Sequence, residues 1–149
     1  MKILGIDFDN TIVRYDKLFH KLALEKGLIE SSIPKSKKEI RNYLRSQNKD
    51  EEFTLLQGEV YGLRISEAEP AEGLLDVLSN IRKDGVKLKI MSHKTRKPYK
   101  GPAYDMHEAA WRWLRTNNLT GELGPIDEED IYFMETKDEK IQMIHNQRC

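Results

Sequence analysis

The chain has a single cysteine, Cys149, at its last position. One thiol forms no internal disulfide, and a zinc site built on thiolates is excluded. Neither sign of charge is in excess. Lys plus Arg and Asp plus Glu number 25 each, so net charge says nothing about a nucleic acid partner. No apolar run is long enough for a membrane span, and the opening "MKILGIDFD" turns acidic too soon for a signal peptide. Internal repeats and low-complexity tracts are absent. These absences lead to the expectation of a cytoplasmic protein with no membrane and no nucleic acid partner. The 149 residues suit one domain with room for a small insertion. A hydrophobic fraction of 38% supports a modest core, and a charged fraction of 34% exceeds the ordinary level of about 25%.

What is present is an alternation of strand and helix patterns. Residues 2–8 read as a short buried strand. In "VKLKIMS", 86–92, Val86, Leu88 and Ile90 alternate with lysines, the period of a second strand. Aromatic-rich "DIYFME", 130–135, reads as a third. Between them, "PAEGLLDVLSNIRKDG" predicts a helix entered at Pro70 and ended by Gly85. The stretch 103–118 predicts a second helix, with Ala110, Trp113 and Leu114 on its inner face. Thr136 and Glu139 have capping-box spacing, so a third helix should begin near Lys137. Such alternation implies an α/β fold, a parallel sheet with helices packed against it. Residues 15–68 interrupt it: their apolar positions recur at helical spacing, which predicts a helical insertion between core segments 1–14 and 69–149.

In an open parallel sheet, ligands bind beyond the carboxyl ends of the strands. Asp7 and Asp9, Ser92 and Lys137 all fall at or just after such ends, so two acids, a hydroxyl and an amine converge on one crevice. These groups suit phosphoryl transfer. One carboxylate can attack phosphorus and form an aspartyl-phosphate, and a second can move protons to and from oxygen. Two negative charges beside a dianion call for a magnesium ion and a lysine. Ser92 could hydrogen-bond a phosphate oxygen, with backbone N–H groups around Asp9, Asn10 and His93 completing the cradle. Lys140, one turn beyond Lys137, competes for the role of the lysine; the capping box favours Lys137.

Three motifs carry a family resemblance. "DFDNT" resembles the first motif, D-x-D-x-T/V, of the haloacid dehalogenase (HAD) superfamily; "IMSHKT" is similar to its second and "ETKDEKI" to its third. They stand in the family's order, and "MSHKTRKPYKGPAYDMHEAAWRWL" also resembles a set of HAD-like hydrolases. The resemblance implies a Rossmann-like core with a helical cap at the C1 position. It makes Asp7 the nucleophile, Asp9 the general acid/base, Ser92 the phosphate ligand and Lys137 the charge stabiliser. Asp7 and the backbone carbonyl of Asp9 would hold Mg2+. The implied activity is a magnesium-dependent phosphatase acting on a small phosphorylated substrate.

The family's fourth motif, an acidic pair, has no counterpart, because the chain stops 12 residues after Lys137. The strand bearing Asp7 should therefore be an unpaired sheet edge, covered either by self-association or by further chain. This departure keeps a second reading open, a phosphate-binding or regulatory module without turnover. A dehalogenase or phosphonatase is a third, opposed by Asp9 and by the lack of a cap lysine motif. Elsewhere bland readings prevail. "DEED", 127–130, reads as a solvated loop, and "KSKKEIRNYLR" as a charged helix face. The basic cluster 94–100 reads equally as an anion attractor or a solvated loop. His20, His107 and His145 read as surface or half-buried helix residues.

Overall fold

The computed structural model describes all residues, Met1–Cys149. Three parallel strands form the main sheet: β1 (Ile3–Ile6), β4 (Lys87–His93) and β5 (Ile131–Met134), in the order β1-β4-β5. Both other strands are short. β2 (Val13–Arg14) and β3 (Glu69–Pro70) pair antiparallel, Val13 with Pro70 and Arg14 with Glu69. The chain thus leaves the core and re-enters it at one ladder. Between those strands lie α1 (Asp16–Glu25), α2 (Lys37–Ser46) and α3 (Asp50–Gly58), which runs on into a π turn, Glu59–Leu63. The remaining helices are α4 (Leu74–Lys83), α5 (Met106–Thr116) and α6 (Lys137–Asn146). The α/β class is as the alternation predicts. No helix is long and apolar enough to cross a membrane.

One hydrophobic cluster joins the inserted helices to the sheet. It includes Phe19, Leu22, Leu44, Leu56 and Val60 from the insertion and Leu88, Ile90 and Ile131 from the strands. Trp113 of α5 links the two: it is 2% exposed, and its Nε1–H donates to the Ala68 carbonyl at 3.0 Å. At Gly62 in the π turn a Cβ would stand 2.6 Å from the Tyr104 Cβ, so only glycine lets this turn close onto the segment before α5.

Several expectations change. The first strand spans fewer residues and is not buried, because β1 is the sheet edge; Leu4 is 39% exposed. The helix after the insertion begins at Leu74 rather than Pro70, because Pro70 pairs with Val13 in the closing ladder. A left-handed Gly73 (φ +70°) then turns the chain into α4. The lysines of β4 do not face water uniformly. Lys89 is buried on the α6 side of the sheet, 3.1 Å from Asp130 and 2.6 Å from the Gln147 side chain. Lys87 approaches the same carboxylate at 3.2 Å. Asp130 is accordingly buried, not part of a solvated loop, since two ammonium groups need a counter-charge under α6. His20 and His107 are buried too, each with Nε2 on a backbone carbonyl, of Ile33 and Lys94 respectively.

Candidate active site

The end of β1 delivers the acidic pair with an aromatic anchor between its members. Phe8 is fully buried, and its ring meets Trp113 and Phe133 edge-on at 5.7 and 5.5 Å. Asp7 and Asp9, on either side, are thereby held at the carboxyl end of the sheet. The chain then turns tightly: the amides of Thr11, Ile12 and Val13 all donate to the Phe8 carbonyl. Asn10 takes a left-handed conformation in that turn, φ +61°, which asparagine tolerates better than most residues. Its expected place beside the pair is kept, with its side chain exposed.

Asp7 is gripped from three directions. Ser92, fully buried at the end of β4, donates its hydroxyl to Oδ1 at 2.7 Å, and the Phe8 amide donates to the same oxygen at 3.0 Å. Lys140 Nζ is 3.2 Å away. Ser92 therefore lies in the site as expected, with its hydroxyl spent on orienting Asp7. Of the two candidate lysines of α6, Lys140 is the one that reaches Asp7. Thr136 does cap α6 by accepting from the Glu139 amide at 3.1 Å, so the helix starts where the motif predicts. Lys137 stands three residues, about 4.5 Å along the helix axis, before Lys140, and is exposed. His93 turns its ring to the Glu135 carbonyl at 3.0 Å, tying β4 to the end of β5.

Asp9 has two partners that sequence reasoning missed. Tyr15 donates its hydroxyl at 2.5 Å, and Lys94 Nζ lies 3.1 Å from the same oxygen. Burial, with Asp9 adding to it, pushes the Tyr15 phenol well above its ordinary range, so the donor stays neutral. Lys94 is 4% exposed and sits over the rings of Phe8 and Tyr61, at 5.4 and 5.0 Å from their centroids. Its backbone is fixed on both sides: its N–H donates to the Met134 carbonyl and its own carbonyl meets His107. Only the position of Lys94, two residues past Ser92 in the strand's alternation, could have signalled it within the basic run.

Asp7 and Asp9 are the carboxylates of this site that could hold a divalent cation, and no group of three or more His, Cys, Asp or Glu residues placed to hold a metal ion comes together in the chain. Magnesium is commonly held by one or two carboxylates with substrate phosphate and water completing its octahedron. Asp7, whose side chain is 44% exposed, fits such a water-rich site.

No family model matches the sequence, and no curated protein matches it. Among solved structures, the fold is similar to a HAD-superfamily hydrolase from Ehrlichia chaffeensis, with a TM-score of 0.51 and 16% sequence identity. The superposition covers 99% of this chain and 72% of that one. The architecture is therefore α/β, a three-stranded parallel sheet with acids just past the end of its first strand, similar to that of this hydrolase.

Proposed function

We propose that the protein is a HAD-type phosphatase that cleaves a small phosphorylated metabolite through an aspartyl-phosphate on Asp7. The observation that supports this most is the division of labour between the acids. Asp7, with Ser92 and Lys140 on it, is oriented and open on one side; Asp9 is held by Tyr15 and Lys94. An Asp7 oxygen attacks phosphorus, the bond from phosphorus to the leaving oxygen breaks, and Asp9 gives that oxygen a proton. Water then attacks the aspartyl-phosphate while Asp9 takes its proton, which frees phosphate and restores Asp7. Lys94 holds the Asp9 side chain in place, and Lys140 offsets charge on the phosphoryl oxygens. Asp7 and the Asp9 backbone would hold Mg2+, which would further neutralise those oxygens. On this reading the inserted helices serve as a C1-type cap.

A second reading, a phosphate-binding module without turnover, is favoured by the absence of a third acidic ligand. Hydrolysis of a generic aryl phosphate, with and without magnesium, separates the two. Magnesium-dependent release that Asp7→Asn abolishes, with far-UV circular dichroism unchanged, supports the phosphatase. An unimpaired rate in Asp7→Asn would sink the covalent mechanism. No release from the unaltered protein favours the binding module.

A further inference from the structure

Helix α2 carries an anomaly on its inward stripe. Residues 37, 40, 41 and 44 share one face of a helix, and Ile40 and Leu44 on it are fully buried. The two others are Lys37 and Arg41, cations where the pattern calls for apolar residues. Neither has a carboxylate of its own. Arg41 Nε is buried without a hydrogen-bond partner. Lys37 makes no ion pair; its Nζ lies 5.6 Å from the Phe19 ring centroid and 5.3 Å from that of Tyr61.

The Lys37 end of this stripe lies close enough to Asp9 for their charges to interact. Tyr61 has the Lys37 ammonium near one part of its ring and Lys94, the partner of Asp9, 5.0 Å from the same centroid. The two ammoniums are thus no more than about 10 Å apart. Burial lowers the Lys37 pKa, and Arg41 and Lys94 lower it further against the pull of Asp9 and Asp16. A half-buried cation crowded by two others is a standing cost, one that an incoming anion would relieve.

We propose that Lys37 and Arg41 bind a second anionic group, a carboxylate or a second phosphoryl, on the molecule whose first phosphoryl meets Asp7. This rests on the phosphoryl site proposed above and narrows its substrate to compounds with two anionic ends. Lys94 already serves Asp9, and Lys140 serves Asp7, which leaves the α2 cations for a charge the ligand brings.

Non-hydrolysable phosphonates test this apart from turnover. Isothermal titration at pH 7 with magnesium would compare methylphosphonate, 3-phosphonopropionate and 1,2-ethylenediphosphonate. At least one of the two-headed compounds should bind about tenfold more tightly than methylphosphonate, and which one does so tells carboxylate from phosphoryl. Lys37→Met and Arg41→Met should bring the two-headed compounds down to the methylphosphonate level. Equal affinities in the unaltered protein, or no binding by any of the three, overturn the proposal. So does a preference that survives in both folded variants. Hydrolysis of the aryl phosphate is scored separately: a protein that shows the preference without turnover keeps this inference and loses the phosphatase.

Discussion

Phe8 is the residue that turns a strand end into a site, because its ring is fixed in the core while its two neighbours cannot be. The two candidate lysines of α6 give a sharp test. Lys140→Met should lower turnover by about a hundredfold, the usual effect of removing one fixed electrostatic group. Lys137→Met should cost at least tenfold less, as checked by initial rates on the aryl phosphate. Comparable losses would mean that α6 shifts on ligand binding. Asp7, Asp9 and Ser92 could be grouped from sequence because each falls at or just after the carboxyl end of a strand, where a parallel sheet collects its ligands. Tyr15 and Lys94 were not, because what makes them part of the site is contact with Asp9 across the fold. Lys37 makes a further prediction at this scale. Its folded-state pKa is lowered, so the folded protein binds its proton less readily than the unfolded chain does. That opposes folding at neutral pH and eases as pH rises toward the ordinary lysine range. Lys37→Met should therefore raise the thermal midpoint at pH 7, and the gain should shrink at alkaline pH. Asp9, Asp16, Arg41 and Lys94 are the charges that face Lys37; a lower midpoint in the variant would show that they stabilise it on balance.

At the scale of elements, the helices were readable from period and caps, and the errors fell where tertiary pairing decides. Pro70 reads as a helix entry in sequence but lies in the ladder that closes the insertion. The charged run of α2 reads as solvated because a helical wheel shows which residues share a face, not what that face meets. The insertion's return is fastened by Arg64, which bonds both Glu25 of α1 and Glu67, with Lys21 also on Glu67. Hydrogen bonds from Arg64 and then Lys21 pull the Glu67 carboxyl down to about 2. The contribution of this pair is therefore complete above the ordinary value of 4.5 and is lost as pH falls through about 2. Carbon-detected titration should place Glu67 near that value, and Arg64→Met should raise it, with Lys21 still holding it below its ordinary range. Trp113→Phe tests the other fastening: losing the bond to the Ala68 carbonyl should cost about 1–3 kcal/mol in urea denaturation. A smaller change would mean that water replaces the indole.

For the whole molecule, the sheet order sets the vulnerable side. β1 pairs only with β4, so alternate β1 amides point away from any partner strand. Hydrogen exchange should show fast and slow amides alternating along Ile3–Ile6. Uniform protection would reveal a strand from another molecule on that edge. The parallel sheet was legible as strand–helix alternation, whereas the single core was not, because the insertion's apolar residues could equally have packed among themselves. That shared core has a mechanical consequence. Lifting the inserted helices off the acids would expose Phe19, Leu44, Leu56 and Val60 together with the inner face of the sheet. Such a rearrangement would amount to unfolding, so melting should be one calorimetric transition with equal van't Hoff and measured enthalpies. A roof joined to the core in this way would admit ligands to the proposed site only through fixed openings, so that exclusion by bulk would act before any bond is made or broken.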